Sequence, residues 1–341
     1  MSLFLRVKNK SRRLGEQFFF SFGFYQRNLD KLKRKTGVLV MYHGIDYAND
    51  TFLNIRNIGV PIFRKHLEFY RKHFTPVSVA EFFEATATGR QYSKPAIALT
   101  FDDGLANNFS LAAPLLESYG IPASFYVTGI HPAGERVIWP DFLCIAARFY
   151  KAGPLVIDDL PYTPDVRGGR VDFFSPGGTS LSDYMRQIDF VEKKKVMDTI
   201  LTLSPNIVEA MERYRLYWEL ADDEVLRGYS NSKFITIGSH AWYHNNLANI
   251  DPDMVKSELT KSKTYLEGLL QREVTEVAYP DGSYSTTVKQ IALELGFRHQ
   301  LAVDYRCQDD QDDPHVLSRV GLYAYQSFYQ QMLAVLRHDN V

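Results

Sequence analysis

At 341 residues, 45% hydrophobic and 14% aromatic, the chain carries enough apolar side chain for one large α/β domain or two ordinary ones, so disorder is excluded as its default. A formal net charge of −1 leaves no whole-chain electrostatic footprint for nucleic acid. Two cysteines far apart in sequence, Cys144 and Cys307, exclude a disulfide framework or a thiolate metal cluster and fit a reducing compartment.

Residues 1–36 form a basic arm, with ten Lys/Arg against only Glu16 and Asp30. Its apolar run Phe18 to Phe20 is too short for a signal peptide or a membrane span. Two readings stay open: a segment on anionic lipid, or a helix that covers a barrel edge or pairs with another subunit. The expected location is cytoplasmic, and the lipid reading of the arm would add a peripheral position at the inner membrane.

From Gly37 to 341 the pattern alternates between short β-branched runs and amphipathic segments, as βα units do. "GVLVMYH" (37–43) reads as a strand, "PIFRKHLEFYRKHF" (61–74) as a helix opened by proline, and "AIALTF" (96–101) as a buried strand. A helix ending at Gly120 precedes the strand "IPASFYVTG". Further strands are predicted in 232–240, 273–280 and 297–304, separated by helices over 252–270 and 284–295. About seven such units predict an α/β fold, a distorted (β/α) barrel of parallel strands. Residues 135–229 break the rhythm and read as an insertion over the barrel: turn-rich, with one lone amphipathic helix in "YMRQIDFVEKKKVMDTILTL".

The strand "AIALTF" runs into Asp102 and Asp103. Adjacent carboxylates repel unless a cation lies between them or one takes a proton, and Gly104 permits a turn that aims both into one cavity. The plainer reading is that Asp103 caps the following helix. In "TIGSHAWYHNNL", His240 and His244 stand four apart after another strand, a spacing that puts both imidazoles on one side of a helical turn. Two imidazoles and one carboxylate suit a divalent metal, Zn²⁺ first, with Co²⁺, Ni²⁺ or Fe²⁺ also compatible.

These blocks, "TFDDG" (100–104), "SHAWYHNNL" (239–247) and "VAYPDGSYS" (277–285), together resemble the polysaccharide deacetylases of the NodB-homology type, carbohydrate esterase family 4. The resemblance implies a NodB-type barrel and a metal-dependent N-deacetylase whose substrate is an N-acetylated carbohydrate, an acetamido sugar of a glycan or glycan precursor. By matched position it implies Asp102 as catalytic base and Asp103, His240 and His244 as metal ligands. The "YPD" turn, Tyr279, Pro280 and Asp281, is implied at the substrate and oxyanion side. The family's late general-acid histidine has no convincing match in His299, His315 or His338. His43, which ends the first strand, resembles the acid of the permuted poly-N-acetylglucosamine deacetylase branch.

Three positions depart from the pattern. Ala241 stands where a hydroxyl residue is usual, Ala278 where an arginine steadies the base, and Asp281 where an aromatic follows the proline. Arg319, in "VLSRVGL", is the candidate to reach the base in place of the missing arginine; the plainer reading is an ordinary surface or structural arginine. Trp218 and Trp242 read as packing residues. Two other functions remain open from the sequence: a deformylase or amidase on a lipid-linked N-acyl sugar, and a catalytically silent barrel that binds carbohydrate.

Overall fold

The computed structural model describes residues 24–49, 51–167 and 170–338. In chain order the strands are β1 (Gly37–Tyr42), β2 (Ile45–Asp46), β3 (Ile58–Gly59), β4 (Thr75–Pro76), β5 (Ala96–Phe101), β6 (Ala123–Val127), β7 (Leu155–Ile157), β8 (Leu160–Arg167), β9 (Arg170–Phe174), β10 (Ile235–Ser239), β11 (Glu276–Ala278), β12 (His299–Leu301), β13 (Val316–Leu317) and β14 (Val320–Gly321).

The main sheet runs β13-β12-β11-β10-β6-β5-β1-β14, all parallel, with β4 beside the first half of β5. Its two edges belong to one short stretch of chain. Val316 and Leu317 pair with Gln300 and Leu301, while Val320 and Gly321 pair with Val40 and Met41. The sheet therefore curls into a barrel of chain-ordered strands whose seam is Ser318 and Arg319. All six residues of β1 and of β5 are buried, as parallel strands covered on both faces must be, and this is why they read as unbroken apolar runs.

The covering helices start and stop where local chemistry dictates. Val60–His73 has proline in its first turn, and Val79–Thr88 opens on a reciprocal Ser78–Glu81 capping box. Ala113–Tyr119 stops at Gly120, whose φ of 65° is left-handed. Pro252–Leu270 matches its predicted span, and Thr286–Glu294 lies inside its own. Of the basic arm, residues 1–23 lie outside the described residues. Phe24–Arg34 is a helix that seats Leu29 and Leu32 in the main core, against β1 and the C-terminal helix Phe328–Arg337, and exposes Arg27, Lys31 and Arg34. No helix among the described residues is long and apolar enough to cross a membrane.

The insertion corrects one expectation. In place of a lone helix it contains Trp139–Phe149, Leu181–Met185, Phe190–Leu203, Asn206–Arg213 and Asp223–Gly228, and the antiparallel sheet β7-β8-β9. The predicted helix is broken at 186–189, because Asp189 accepts from the Glu192 amide and starts a new one. Apart from Asp223–Gly228, whose Leu226 packs into the barrel core, these elements bury a core of their own around Trp139, Phe142, Tyr162, Phe173 and Trp218. Trp218 sits within it and donates to the Met211 carbonyl at 2.8 Å.

Candidate active site

Every residue given a chemical role by the sequence lies at or beyond the C-terminal end of a parallel strand, or at the seam. His43 follows β1, Asp102 and Asp103 follow β5, His240 follows β10 and Tyr279 follows β11. In barrels of this kind that end carries the chemistry, because the loops there converge over the strand ends.

The backbone after β5 turns sharply. Asp103 has φ 77° and Gly104 φ 74°, and a side chain at Gly104 would press to within 3.0 Å of the Val127 Cα. Ala241, His244 and Asp281 are also left-handed, at 59°, 54° and 53°. Such a conformation costs a non-glycine residue about 1–3 kcal/mol and persists only where the surroundings over-determine it. Four such residues converge on this one end of the barrel.

The turn separates the two carboxylates. Asp102 is buried, and Arg319 clasps it with two parallel bonds, Nη1 to Oδ1 at 2.7 Å and Nη2 to Oδ2 at 2.8 Å. Arg319 is itself fixed by Thr100 Oγ1 at 3.1 Å and by the Ala302 carbonyl at 3.2 Å. Burial alone would raise the Asp102 carboxyl, but the Arg319 and His240 charges outweigh it and hold it below the usual range. The guanidinium that the missing arginine at Ala278 would supply thus reaches the carboxylate from the barrel seam.

Asp103 caps no helix. Its Oδ2 accepts from Arg56 Nη1 at 3.0 Å, while its buried Oδ1 has no hydrogen-bond partner. His240 Nε2 lies 3.4 Å and His244 Nε2 3.3 Å from that oxygen. The His240 Nδ1 must carry a proton, since it faces the Ala278 carbonyl at 2.9 Å. In the neutral ring this leaves the Nε2 lone pair pointing at Asp103. Oxygen and nitrogen ligand atoms of the three residues lie within 4.8 Å of one another, and an orphaned carboxylate oxygen facing two imidazole nitrogens is the donor set a borderline divalent cation takes. Ala241 offers no hydroxyl, and the hydrogen bond that orients the His240 ring is the one to the Ala278 carbonyl on the neighbouring strand.

One expectation about the histidines is corrected. They do not share a helical turn: residues 240–246 form an irregular loop, and the left-handed Ala241 and His244 bring the rings to 5.0 Å centroid separation. Buried Glu258 holds this loop by accepting from the Tyr243 amide at 3.0 Å and from Asn245 at 2.6 Å. The insertion holds it too. Lys193 Nζ donates to Asn245 Oδ1 at 2.7 Å, and Trp139 Nε1 donates to the His244 carbonyl at 3.1 Å. Burial pushes the Lys193 amine down to about 8.

His43 lies among the same charges. Burial pushes its pKa down to about 4, with Asp103 and Asp102 opposing the shift, and its buried Nδ1 has no hydrogen-bond partner. The Tyr279 hydroxyl is engaged by Gln300 Oε1 at 2.6 Å and its ring stacks on Tyr284, so its side chain belongs to the core. Pro280 and Asp281 form the tight turn beyond it, and Asp281 faces Arg186 of the insertion at 3.7 Å.

Two residues at the site carry no signal in the sequence, Arg56 and Asp141. Arg56 bridges Asp103 and the buried Asp141, which also accepts from Asn54 at 2.8 Å. One guanidinium cannot fully compensate two buried carboxylates. Asp103 is held well below the usual range, and Asp141, penalised first by burial, is pushed up to about 6. Neither residue lies in a motif block, and only tertiary packing brings the β1 loop against the insertion.

A chain-ordered parallel barrel with a carboxylate–imidazole cluster at its strand ends defines a class of hydrolase scaffold. A family model for polysaccharide deacetylase matches residues 89–153 and 177–299, more than half of the sequence, and the chain belongs to that family. The poly-β-1,6-N-acetyl-D-glucosamine N-deacetylase of Escherichia coli (strain K12) is 28% identical over 112 residues, 31% of this chain. The chain spans 16% of the length of the curated relatives it matches. Among solved structures, Streptococcus pyogenes deacetylase PplD is similar with a TM-score of 0.52 at 17% identity, covering 88% of this chain and 97% of that one. IcaB from Ammonifex degensii gives 0.52 at 15% identity, covering 88% and 97%. The de-N-acetylase from Aggregatibacter actinomycetemcomitans gives 0.52 at 11%, covering 87% and 98%. At these identities the three structures support the NodB-type barrel fold.

Proposed function

We propose that the protein is a metal-dependent carbohydrate N-deacetylase that hydrolyses the acetamide of an N-acetylated sugar within a polysaccharide. The observation that carries this reading is the pair of carboxylates with different partners, Asp102 clasped by Arg319 and Asp103 Oδ1 left open to His240 and His244.

Asp103, His240 and His244 would hold the cation. A divalent cation held there supplies Lewis acidity, polarising a carbonyl and acidifying water. Asp102 is the general base: Arg319 keeps it ionised and fixes the plane of its carboxylate, so the proton it accepts arrives at a set position. His43 is the general acid for the departing amine. To act as the acid the ring must first take up a proton: burial disfavours that protonated form, and the ionised Asp103 and Asp102 carboxylates favour it. Such proton transfer contributes about 10²- to 10⁴-fold. The Pro280–Gly282 turn follows β11, whose Ala278 carbonyl holds His240, and fits the side where the carbonyl oxygen gains charge. Exposed Arg27, Lys31, Arg34 and Lys35 support peripheral contact with anionic lipid.

The test couples metal analysis to an acetate-release assay over N-acetylated oligosaccharides. Stoichiometric divalent metal with acetate release, abolished by chelation and restored by metal, is the expected result. Carbohydrate binding with neither metal nor acetate would overturn the reading.

A further inference from the structure

The exposed aromatic side chains are not scattered. Among the described residues, the large apolar side chains left exposed include three aromatics, Tyr47, Phe52 and Tyr325, and all three lie on the two loops beside His43. Tyr47 and Phe52 belong to the connection between β2 and β3, just beyond the C-terminal end of β1, and Tyr325 to the loop after β14. Both loops leave the C-terminal ends of their strands, the end that carries the site.

The two loops are fastened together. The Ala324 amide donates to the Ile55 carbonyl at 2.8 Å, and Asn49 Nδ2 donates to the Ala324 carbonyl at 3.2 Å. Gln331 Nε2 holds the Tyr323 carbonyl at 2.9 Å. On this pinned turn the Tyr323 and Tyr325 rings stack, with centroids 5.7 Å apart and planes 18° from parallel. Half-buried Tyr323 lies 6.5 Å from the His43 ring on its inner side. Tyr325, on the outer side, is 62% exposed. Phe52 is held against the insertion by Arg148, whose guanidinium lies 4.3 Å over its ring.

We infer that the Tyr323–Tyr325 stack is a sugar-binding platform, an extended subsite that holds a residue of the polysaccharide beyond the one that reacts. The inference rests on the polysaccharide reading of the site and adds to it where the rest of the chain lies. An aromatic face held rigid by stacking loses little entropy on binding and offers an apolar plane to the C–H face of a pyranose ring. Its placement one ring away from His43 orders the subsites along the β1–β14 side of the mouth. The platform acts on binding alone, so its loss raises KM in proportion to the sugar residues that reach it and leaves kcat unchanged.

The experiment compares wild type, Tyr325→Ala and Tyr325→Phe as metal-loaded full chains. Acetate-release kinetics and calorimetric Kd are measured for N-acetylated glucosamine substrates from the monosaccharide to the hexasaccharide. With Tyr325→Ala, KM and Kd for the hexasaccharide are expected to rise about three- to tenfold, the scale of one aromatic contact. Monosaccharide values and kcat should not move, and Tyr325→Phe should retain wild-type behaviour. Identical hexasaccharide values in wild type and Tyr325→Ala overturn the platform. So does an equal loss for the monosaccharide, or a wild type that binds no oligosaccharide. If wild type binds the hexasaccharide without releasing acetate, the proposed reaction fails, and the length dependence of Kd still decides the platform.

Discussion

Replacing Arg319 with methionine removes the guanidinium from Asp102 while keeping most of the side-chain volume. Two independent routes give the cost. With both N···O contacts below 3 Å, the charge centres lie about 4 Å apart, and at an effective dielectric of about 20 their attraction is about 4 kcal/mol. Alternatively, the abandoned buried carboxylate escapes by taking up a proton, which at pH 7 costs an ordinary aspartate about 4 kcal/mol. Both values fall in the range of about 3–5 kcal/mol found when one partner of a buried pair is removed. The assay is a double-mutant cycle of Arg319→Met, Asp102→Asn and the double variant by urea denaturation of metal-free protein at pH 7, and the expected coupling is about 3–5 kcal/mol. Turnover of Arg319→Met should fall together with stability, since a protonated Asp102 accepts no proton. A coupling below about 1 kcal/mol, the worth of an exposed ion pair, would refute the reasoning by showing that water already solvates the carboxylate.

Three further outcomes are expected. Asp103→Asn should lose most of its bound metal by elemental analysis while remaining folded, because it removes the one charged donor. His43→Asn should keep wild-type metal content and lose turnover by about 10²- to 10⁴-fold; a near-normal rate would remove the general-acid assignment. His66 is buried between the Tyr42 hydroxyl at 3.0 Å and Gln331 Oε1 at 2.8 Å, and burial pushes its pKa down to about 4. The unfolded chain takes up this proton below about pH 6.5 while the folded protein does not, so the stability present above pH 6.5 is lost as pH falls from there through about 4. The loss is about 3 kcal/mol in all, and His66→Gln should flatten that part of a stability–pH curve measured by urea denaturation.

Much of the site is legible in the amino-acid sequence because its parts are local. Asp102, Asp103, His240 and His244 each follow an apolar run that can only be a buried strand, and strand ends in a parallel barrel converge. The gaps have equally physical reasons. The His240–His244 spacing suggests a helical turn, yet left-handed conformations at Ala241 and His244 and the Glu258 carboxylate build a loop instead. Periodicity carries no signal for a non-glycine left-handed residue. Arg56 and Asp141 escape notice because an arginine in a loop and an aspartate in a helix look like surface charge until folding buries them against Asp103. The insertion reads as turns and one helix because its short strands β7 to β9 pair antiparallel around a separate core, with little of the long apolar signature of the barrel strands.

What the amino-acid sequence determined alone was the order of the main barrel strands and the helices between them, and with it the family and the grouping of acids and imidazoles at one end of a barrel. Hydrophobic period, caps and turn residues are local properties, and the chain-ordered sheet leaves little freedom in how successive strands pair. What only the tertiary structure decided was that Arg319 does reach Asp102 and that Arg56 serves Asp103. Arg319 reaches Asp102 because Val316–Gly321 closes the barrel seam, and Arg56 reaches Asp103 because the insertion presses Asp141 against it. Those pairings join residues far apart in sequence, and electrostatic partners across such distances are chosen by packing.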